Sequence, residues 1–321
     1  MKILYALILS GILVLATSSD NPVPMQTYYY NYENIMGTSF ELKVAARSEA
    51  VASEAEAAAI DEIDRLSDIL NTYDSQSEFS RWQKTIDSDE PVSPELFEVM
   101  SLFDKWQIKT GGALNPAVGT ATALWKKAAE NDSFPAHTEL SSAVEILNRD
   151  HWILNEENLT ARHLTKDPLV FNTFVKSYII SRVSDKVMEI DGISSSLVNI
   201  GGDLVAAGGM KEMIFVTDPE QSSDNGNPLL AINVTDKAVA TSGNYRRGFM
   251  VDEEWFSHIL DARTAMPVKE IISATVVSDN AVNAGALATV FNILSPDESK
   301  GLAEQMPGIE FLIVAKDGSQ I

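Results

Sequence analysis

Phe174-Val-Lys-Ser-Tyr-Ile-Ile-Ser-Arg-Val-Ser-Asp-Lys-Val-Met-Glu-Ile190 carries apolar residues at helical spacing, with Ile179, Val183 and Val187 on one face. The period then changes. Ser196-Leu-Val-Asn-Ile200, Met213-Ile-Phe-Val216, Leu229-Leu-Ala-Ile232 and Ala238-Val-Ala240 are short β-branched runs parted by turn residues. Upstream the helical period dominates. Arg47 to Asn71 shows a stripe of Ile60, Ile63, Leu66 and Leu70, Pro94 to Lys109 is stopped by Gly111-Gly112, and a third helix runs from about Val118 to Glu130. Ser39-Phe-Glu-Leu-Lys-Val44 alternates as a strand, behind a polar, tyrosine-rich lead-in over 19–34. Between 132 and 165 the sequence is polar and irregular, with one helix at Glu139 to Asn148. Downstream come a strand from Ile272 to Val277, a helix from Ala281 to Leu294, a helix from Pro296 to Gln305 and a strand from Ile309 to Val314. Helices and strands sit in blocks and nothing repeats, which predicts an α+β fold. The polar segment Gln221 to Asn227 is the best place for an insertion.

The chain has 321 residues, enough for one large domain or two intimate halves. It carries 24 Lys and Arg against 46 Asp and Glu, a net charge of −22. That field repels nucleic acid and anionic lipid, and a small anion needs a local cationic patch or a metal. The absence of cysteine removes disulfides, thiolate metal sites and a cysteine nucleophile. Lys2, the mainly apolar run from Ile3 to Ala16 and the cluster Thr17-Ser18-Ser19 read as a secretory signal peptide over 1–18. The expectation is a protein exported to the periplasm and soluble after cleavage.

Several local patterns admit chemistry, each beside a plainer reading. Asn199-Ile-Gly-Gly-Asp203 follows a strand and lets a ligand approach the backbone, or is a tight turn stapled by Asp203. Thr241-Ser-Gly-Asn-Tyr245 presents hydroxyls to phosphate oxygens, or is a hairpin turn. His258-Ile-Leu-Asp261-Ala-Arg263 offers a base beside a carboxylate and a phosphate-holding arginine, or a surface pair. Lys176 either snorkels or holds an anion. Thr289 is either a metal ligand or a hydroxyl bonded to its own helix.

In order along the chain these patterns resemble one family, the FAD:protein FMN transferases or ApbE-like flavin transferases. The resemblance rests on Met36-Gly-Thr38, Tyr73-Asp-Ser-Gln-Ser77-Glu78, Gly111-Gly-Ala-Leu-Asn-Pro-Ala-Val-Gly119 with Leu124-Trp125, and Lys176-Ser-Tyr178. It continues through Asn199 to Asp203, Thr241 to Tyr245, His258 to Thr264 and Ala284 to Thr289, ending at Phe311-Leu-Ile-Val314. It implies a two-subdomain α+β fold, with mixed sheets and helices packed around a flavin cleft, over 19–321. It also implies Mg²⁺-dependent transfer of FMN from FAD to a threonine of an exported flavoprotein, a subunit of a redox complex, with release of AMP. By the same resemblance Met36 and Tyr73 line the flavin, and Ala113, Leu114 and Asn115 contact the nucleotide. Lys176 sits near the phosphates, Thr173 and Thr289 face the metal, and His258 and Ile259 lie beside the reacting centre.

The sequence departs from the family pattern where metal and nucleotide are expected. Gly285 replaces the carboxylate of Ala-Asp-Ala-x-x-Thr, and glycine offers Mg²⁺ no side-chain oxygen. Val170 stands where an acidic residue is usual, Asn115 replaces an Asp, and Ala262 and Ala265 replace Pro and Gly. No lipobox cysteine is present. Two further functions therefore stand beside the transferase: a non-catalytic FAD- or FMN-binding relative that lost its metal site, and an FAD pyrophosphatase.

Overall fold

The computed structural model describes residues 24–219 and 228–321. The signal peptide expected over 1–18 and the loop Gln221 to Asn227 lie outside the described residues.

From Gln26 onward the tyrosine-rich lead-in is a strand. Strand β1 (Gln26–Ile35) pairs antiparallel with β2 (Thr38–Ala46), turning at Met36-Gly37, where both residues take positive φ. Helix α1 (Glu49–Leu70) follows, capped by Ser48 Oγ, which accepts from Val51 N. After α2 (Glu78–Trp82) and β3 (Asp89–Pro91), α3 spans Pro94–Lys109. Its limits are those the sequence predicts, because Ser93 caps it, Pro94 fits its first turn, and Gly111 and Gly112 adopt left-handed φ beyond it.

Next come α4 (Gly119–Glu130) and α5 (His137–Leu147). The segment expected to be irregular then folds into a hairpin, β4 (Trp152–Asn155) with β5 (Thr160–His163), and β5 also pairs with β3. Trp82 Nε1 donates to Ala161 O, which anchors α2 on this small sheet.

Helix α6 (Val175–Met188) leads into β6 (Ile193–Ile200), β7 (Asp203–Ala207), β8 (Lys211–Thr217), β9 (Pro228–Thr235) and β10 (Ala238–Gly243). Two short hairpins, β11 (Gly248–Val251) with β12 (Glu254–Ser257) and β13 (Leu260–Asp261) with β14 (Met266–Pro267), precede β15 (Ile271–Ser278). The chain closes with α7 (Ala281–Ile293), α8 (Pro296–Glu304) and β16 (Glu310–Ala315). The fold is α+β.

The principal sheet has seven strands in the order β1-β2-β6-β7-β10-β15-β16, and each neighbouring pair is antiparallel. Period-two alternation divides its side chains between two layers. Val198, Ile200, Ala238, Ala240, Ala274 and Val276 face the main core beneath α1, α6 and α7. Leu197, Val239 and Val277 point the other way and are covered by Met210 and by Val234, Ile214 and Ile232 of the β8–β9 hairpin. Helix α7 is apolar nearly all round, as a helix wedged between α6, β10 and β15 must be.

Candidate functional site

A cleft of about 860 Å³ opens where the C-terminal end of α1, the β1–β2 turn, the N-terminus of α6, the β6–β7 turn and the middle of α7 converge. That volume is in the range of pockets that hold a sizeable small molecule. Met36, Tyr73, Thr173, Lys176, His258 and Thr289, all singled out in the sequence, line it together. Ala113, Leu114, Asn115 and Ile259 do not; all four are buried. Asn115 is engaged locally: its Oδ1 accepts from Ala117 N at 2.8 Å and its Nδ2 donates to Leu147 O at 2.7 Å.

The floor is built by α6. Its N-cap, Phe174, has no side-chain acceptor for the first-turn amides, so the helix begins with uncapped N–H groups beside Thr173 and Lys176. Lys176 Nζ lies 3.0 Å from Asp203 Oδ2. Of the two readings of Asn199–Asp203, the turn stapled by Asp203 is not what the structure shows. Asn199 Oδ1 takes that role by accepting from Gly202 N at 3.0 Å, while Asp203 Oδ1 accepts from Thr241 N at 3.2 Å. Burial pushes the Asp203 carboxyl above the usual carboxylate range, opposed by the Lys176 ammonium. Gly201 and Asp203 line the cleft, as the ligand-approach reading of Asn199–Asp203 allows, but the pairing of Asp203 with Lys176 has no local signal because the partner lies on another element.

On the opposite wall, His258 is not paired with Asp261. Arg263 forks onto Asp261, with Nη2–Oδ2 at 2.8 Å and Nε–Oδ1 at 2.9 Å, and reaches Glu298 as well; neither Arg263 nor Asp261 lines the cleft. His258 Nδ1 lies 3.0 Å from Arg247 O. A carbonyl only accepts, so Nδ1 carries the proton and neutral His258 keeps the lone pair on Nε2. His258 is exposed to the cleft, and partial desolvation there, opposed by the bond to the Arg247 carbonyl and aided by the Arg247 cation, moves its imidazole below the ordinary pKa, so the lone pair is available near neutrality.

At the mouth, Tyr73 is 83% exposed and its hydroxyl accepts from Asn172 Nδ2. In α7, Thr289 Oγ1 lies 3.4 Å from Gly285 O, the backbone-bonded alternative that its position in a helix allowed.

The Mg²⁺ implied by resemblance finds few donors here. Among the described residues no group of three or more His, Cys, Asp and Glu side chains could hold a metal ion. Asp203 is the cleft's single carboxylate and is bonded to Lys176 and Thr241 N. Mg²⁺ takes near-octahedral oxygen ligands, usually with carboxylates among them. This donor set does not fit it.

The ApbE family profile matches residues 36–313. The FAD:protein FMN transferase of Vibrio cholerae is 28% identical over 295 residues, covering 88% of this chain and 86% of the relative. That of Escherichia coli K12 is 25% identical over 271 residues, covering 80% and 75%. Among solved structures, the ApbE protein of Thermotoga maritima superposes with a TM-score of 0.80 at 23% identity, covering 92% of this chain and 96% of that one. The flavin transferase ApbE from Vibrio cholerae superposes with a TM-score of 0.72 at 24% identity, covering 93% and 96%. The structural matches speak for the fold.

Proposed function

The chain belongs to the ApbE family, and on that premise we propose that its cleft binds FAD and transfers the FMN half to a threonine of an exported flavoprotein, releasing AMP. The observation that carries this reading is the convergence of an aromatic mouth at Tyr73, a cationic floor at Lys176 and a neutral imidazole at His258 in one cleft. Met36 and Tyr73 flank the isoalloxazine. Lys176 and the uncapped amides of α6 meet the pyrophosphate. Ala113 to Asn115 and Ile259 are buried and outside the lining.

The chemistry is phosphoryl transfer, in which positioning and charge stabilisation do most of the work. The acceptor's threonine oxygen attacks the phosphorus of the FMN half. A P–O bond forms there, the bond to the bridging oxygen breaks, and AMP departs with that oxygen. His258 Nε2 takes the threonine proton, the role its tautomer suits. The leader expected from the sequence over 1–18 is the ground for proposing that the reaction runs in the periplasm, with a redox-complex subunit receiving the flavin.

The test is co-expression with a periplasmic FMN-flavoprotein domain in a host deleted for its own flavin transferase. In-gel flavin fluorescence on the acceptor, lost when its threonine becomes alanine, supports transfer. The scarcity of metal donors favours a second reading, a flavin-binding relative without turnover. Tight FAD binding with no adduct and no AMP would select that one, and free FMN plus AMP without adduct would make it a pyrophosphatase.

A further inference from the structure

Gly285 of α7 faces Ser177 of α6. A Cβ placed on Gly285 would overlap Ser177 Oγ and stand 2.9 Å from Ser177 Cβ, with the Phe174 Cα at 3.5 Å. Turning the serine hydroxyl away relieves the first clash and leaves the second. Ser177 is 3% exposed, and its Oγ has no hydrogen-bond partner, although it lies near enough to Asp203 to steady that carboxylate. Position 285 therefore lacks more than a carboxylate. It lacks room for any side chain.

The charges lining the cleft are Lys176, Arg247 and Asp203, with His258 neutral above its lowered pKa. Arg247 makes no side-chain ion pair among the described residues, and it is an exposed residue of the cleft lining. Two cations thus stand against one carboxylate that is already bonded, in a protein of net charge −22. Such a site draws an anion. It holds out little to a divalent cation.

The geometry points to a cleft that takes the diphosphate of its dinucleotide directly on Lys176, Arg247 and the first-turn amides of α6, with no divalent cation between them, Ser177 filling the space a ligand on residue 285 would need. The inference rests on the flavin-nucleotide reading. It makes Ser177 and Gly285 a coupled pair: restoring a carboxylate at 285 requires removing the serine side chain.

The experiment is an FAD titration of the purified protein by flavin fluorescence, once in excess EDTA and once in millimolar MgCl₂, with riboflavin as the phosphate-free control. The expected result is the same FAD affinity in both buffers. Lys176→Met lowers FAD affinity about ten- to a hundredfold, as loss of a charge-assisted hydrogen bond does, with the loss confined to phosphate-bearing ligands. Ser177→Gly/Gly285→Asp acquires magnesium-dependent FAD binding, and Gly285→Asp alone does not. A tenfold or greater gain of wild-type affinity on adding magnesium overturns the proposal and leaves the flavin reading standing. Failure to bind FAD or riboflavin in either buffer, with a native circular dichroism spectrum, rejects the flavin reading itself.

Discussion

Asn172 Nδ2 donates a hydrogen bond of 2.9 Å to the Tyr73 hydroxyl, across the mouth of the cleft. The two residues belong to separate segments, one following α1 and the other leading into α6. A second bond, Phe171 N to Thr72 Oγ1 at 3.1 Å, joins the same segments one residue earlier. Together they set the position of an aromatic ring that is otherwise left in solvent, so its face is held ready for a planar ligand.

Tyr73→Ala is expected to weaken FAD binding by about three- to tenfold, the worth of one aromatic contact beyond its area. Tyr73→Phe keeps the ring and loses the Asn172 bond, so it falls between wild type and alanine. Fluorescence titration checks both. An alanine variant that binds FAD as well as wild type would remove Tyr73 from the flavin site.

Ala265 sits at φ 57°, fully buried, in the turn between β13 and β14, and its carbonyl accepts from Trp125 Nε1 at 2.9 Å. A Cβ in left-handed conformation costs roughly 1–2 kcal/mol, and glycine gives back part of that gain in unfolded-chain entropy. Ala265→Gly should therefore stabilise the protein by about 0.5–1 kcal/mol in urea unfolding. No rise in the midpoint would mean the strain is absorbed elsewhere in the hairpin.

Where a local signal was strong, the sequence told the structure closely. Ser93, Pro94 and the Gly111-Gly112 pair bracket α3 through signals local to the sequence. The β4–β5 hairpin was hidden because each strand is four residues long, too short for alternation to stand out. In the site, His258 and Asp261 are near in sequence, yet the carboxylate is claimed by Arg263, whose fork fits it better. Lys176 and Asp203 make the contact the local reading lacked, since only the packing of α6 on β7 brings them together. Met36, Tyr73 and His258 converge by the same long-range route, so residue spacing could not group them and only the family resemblance did.

Acid should destabilise the fold through two buried histidines. His151 and His163 are held below the ordinary imidazole pKa chiefly by burial. His163 Nδ1 is bonded to Thr85 O, His151 Nδ1 to Thr165 Oγ1, and both Nε2 atoms are buried without a partner. In the unfolded chain these rings take a proton near pH 6.5, while the native state resists until lower pH. The unfolded state then binds more protons, and stability falls as pH drops below about 6.5 toward the native pKa values. Asp203, whose folded pKa is raised, acts with the opposite sign at lower pH. Melting temperatures from pH 8 to pH 5 should decline, and His151→Gln/His163→Gln should flatten the decline. An unchanged slope in that double variant would place the acid sensitivity in other groups.

Gly285→Ala separates a packing constraint from an ordinary helix effect by the sign of its result. In the interior of α7, glycine to alanine should by propensity alone stabilise by about 1 kcal/mol. Here the added methyl meets both Ser177 Oγ and Ser177 Cβ, the latter at 2.9 Å, where α6 and α7 are packed against each other. Overpacking of this kind costs about 1–3 kcal/mol, so the net expectation is a loss of stability. Ser177→Gly removes the obstruction and should restore Gly285→Ala toward the parent in a double-mutant cycle, with a coupling of about 1–2 kcal/mol. A stabilising Gly285→Ala, or two additive substitutions, would show that the helices move apart freely and that position 285 is open to a side chain after all.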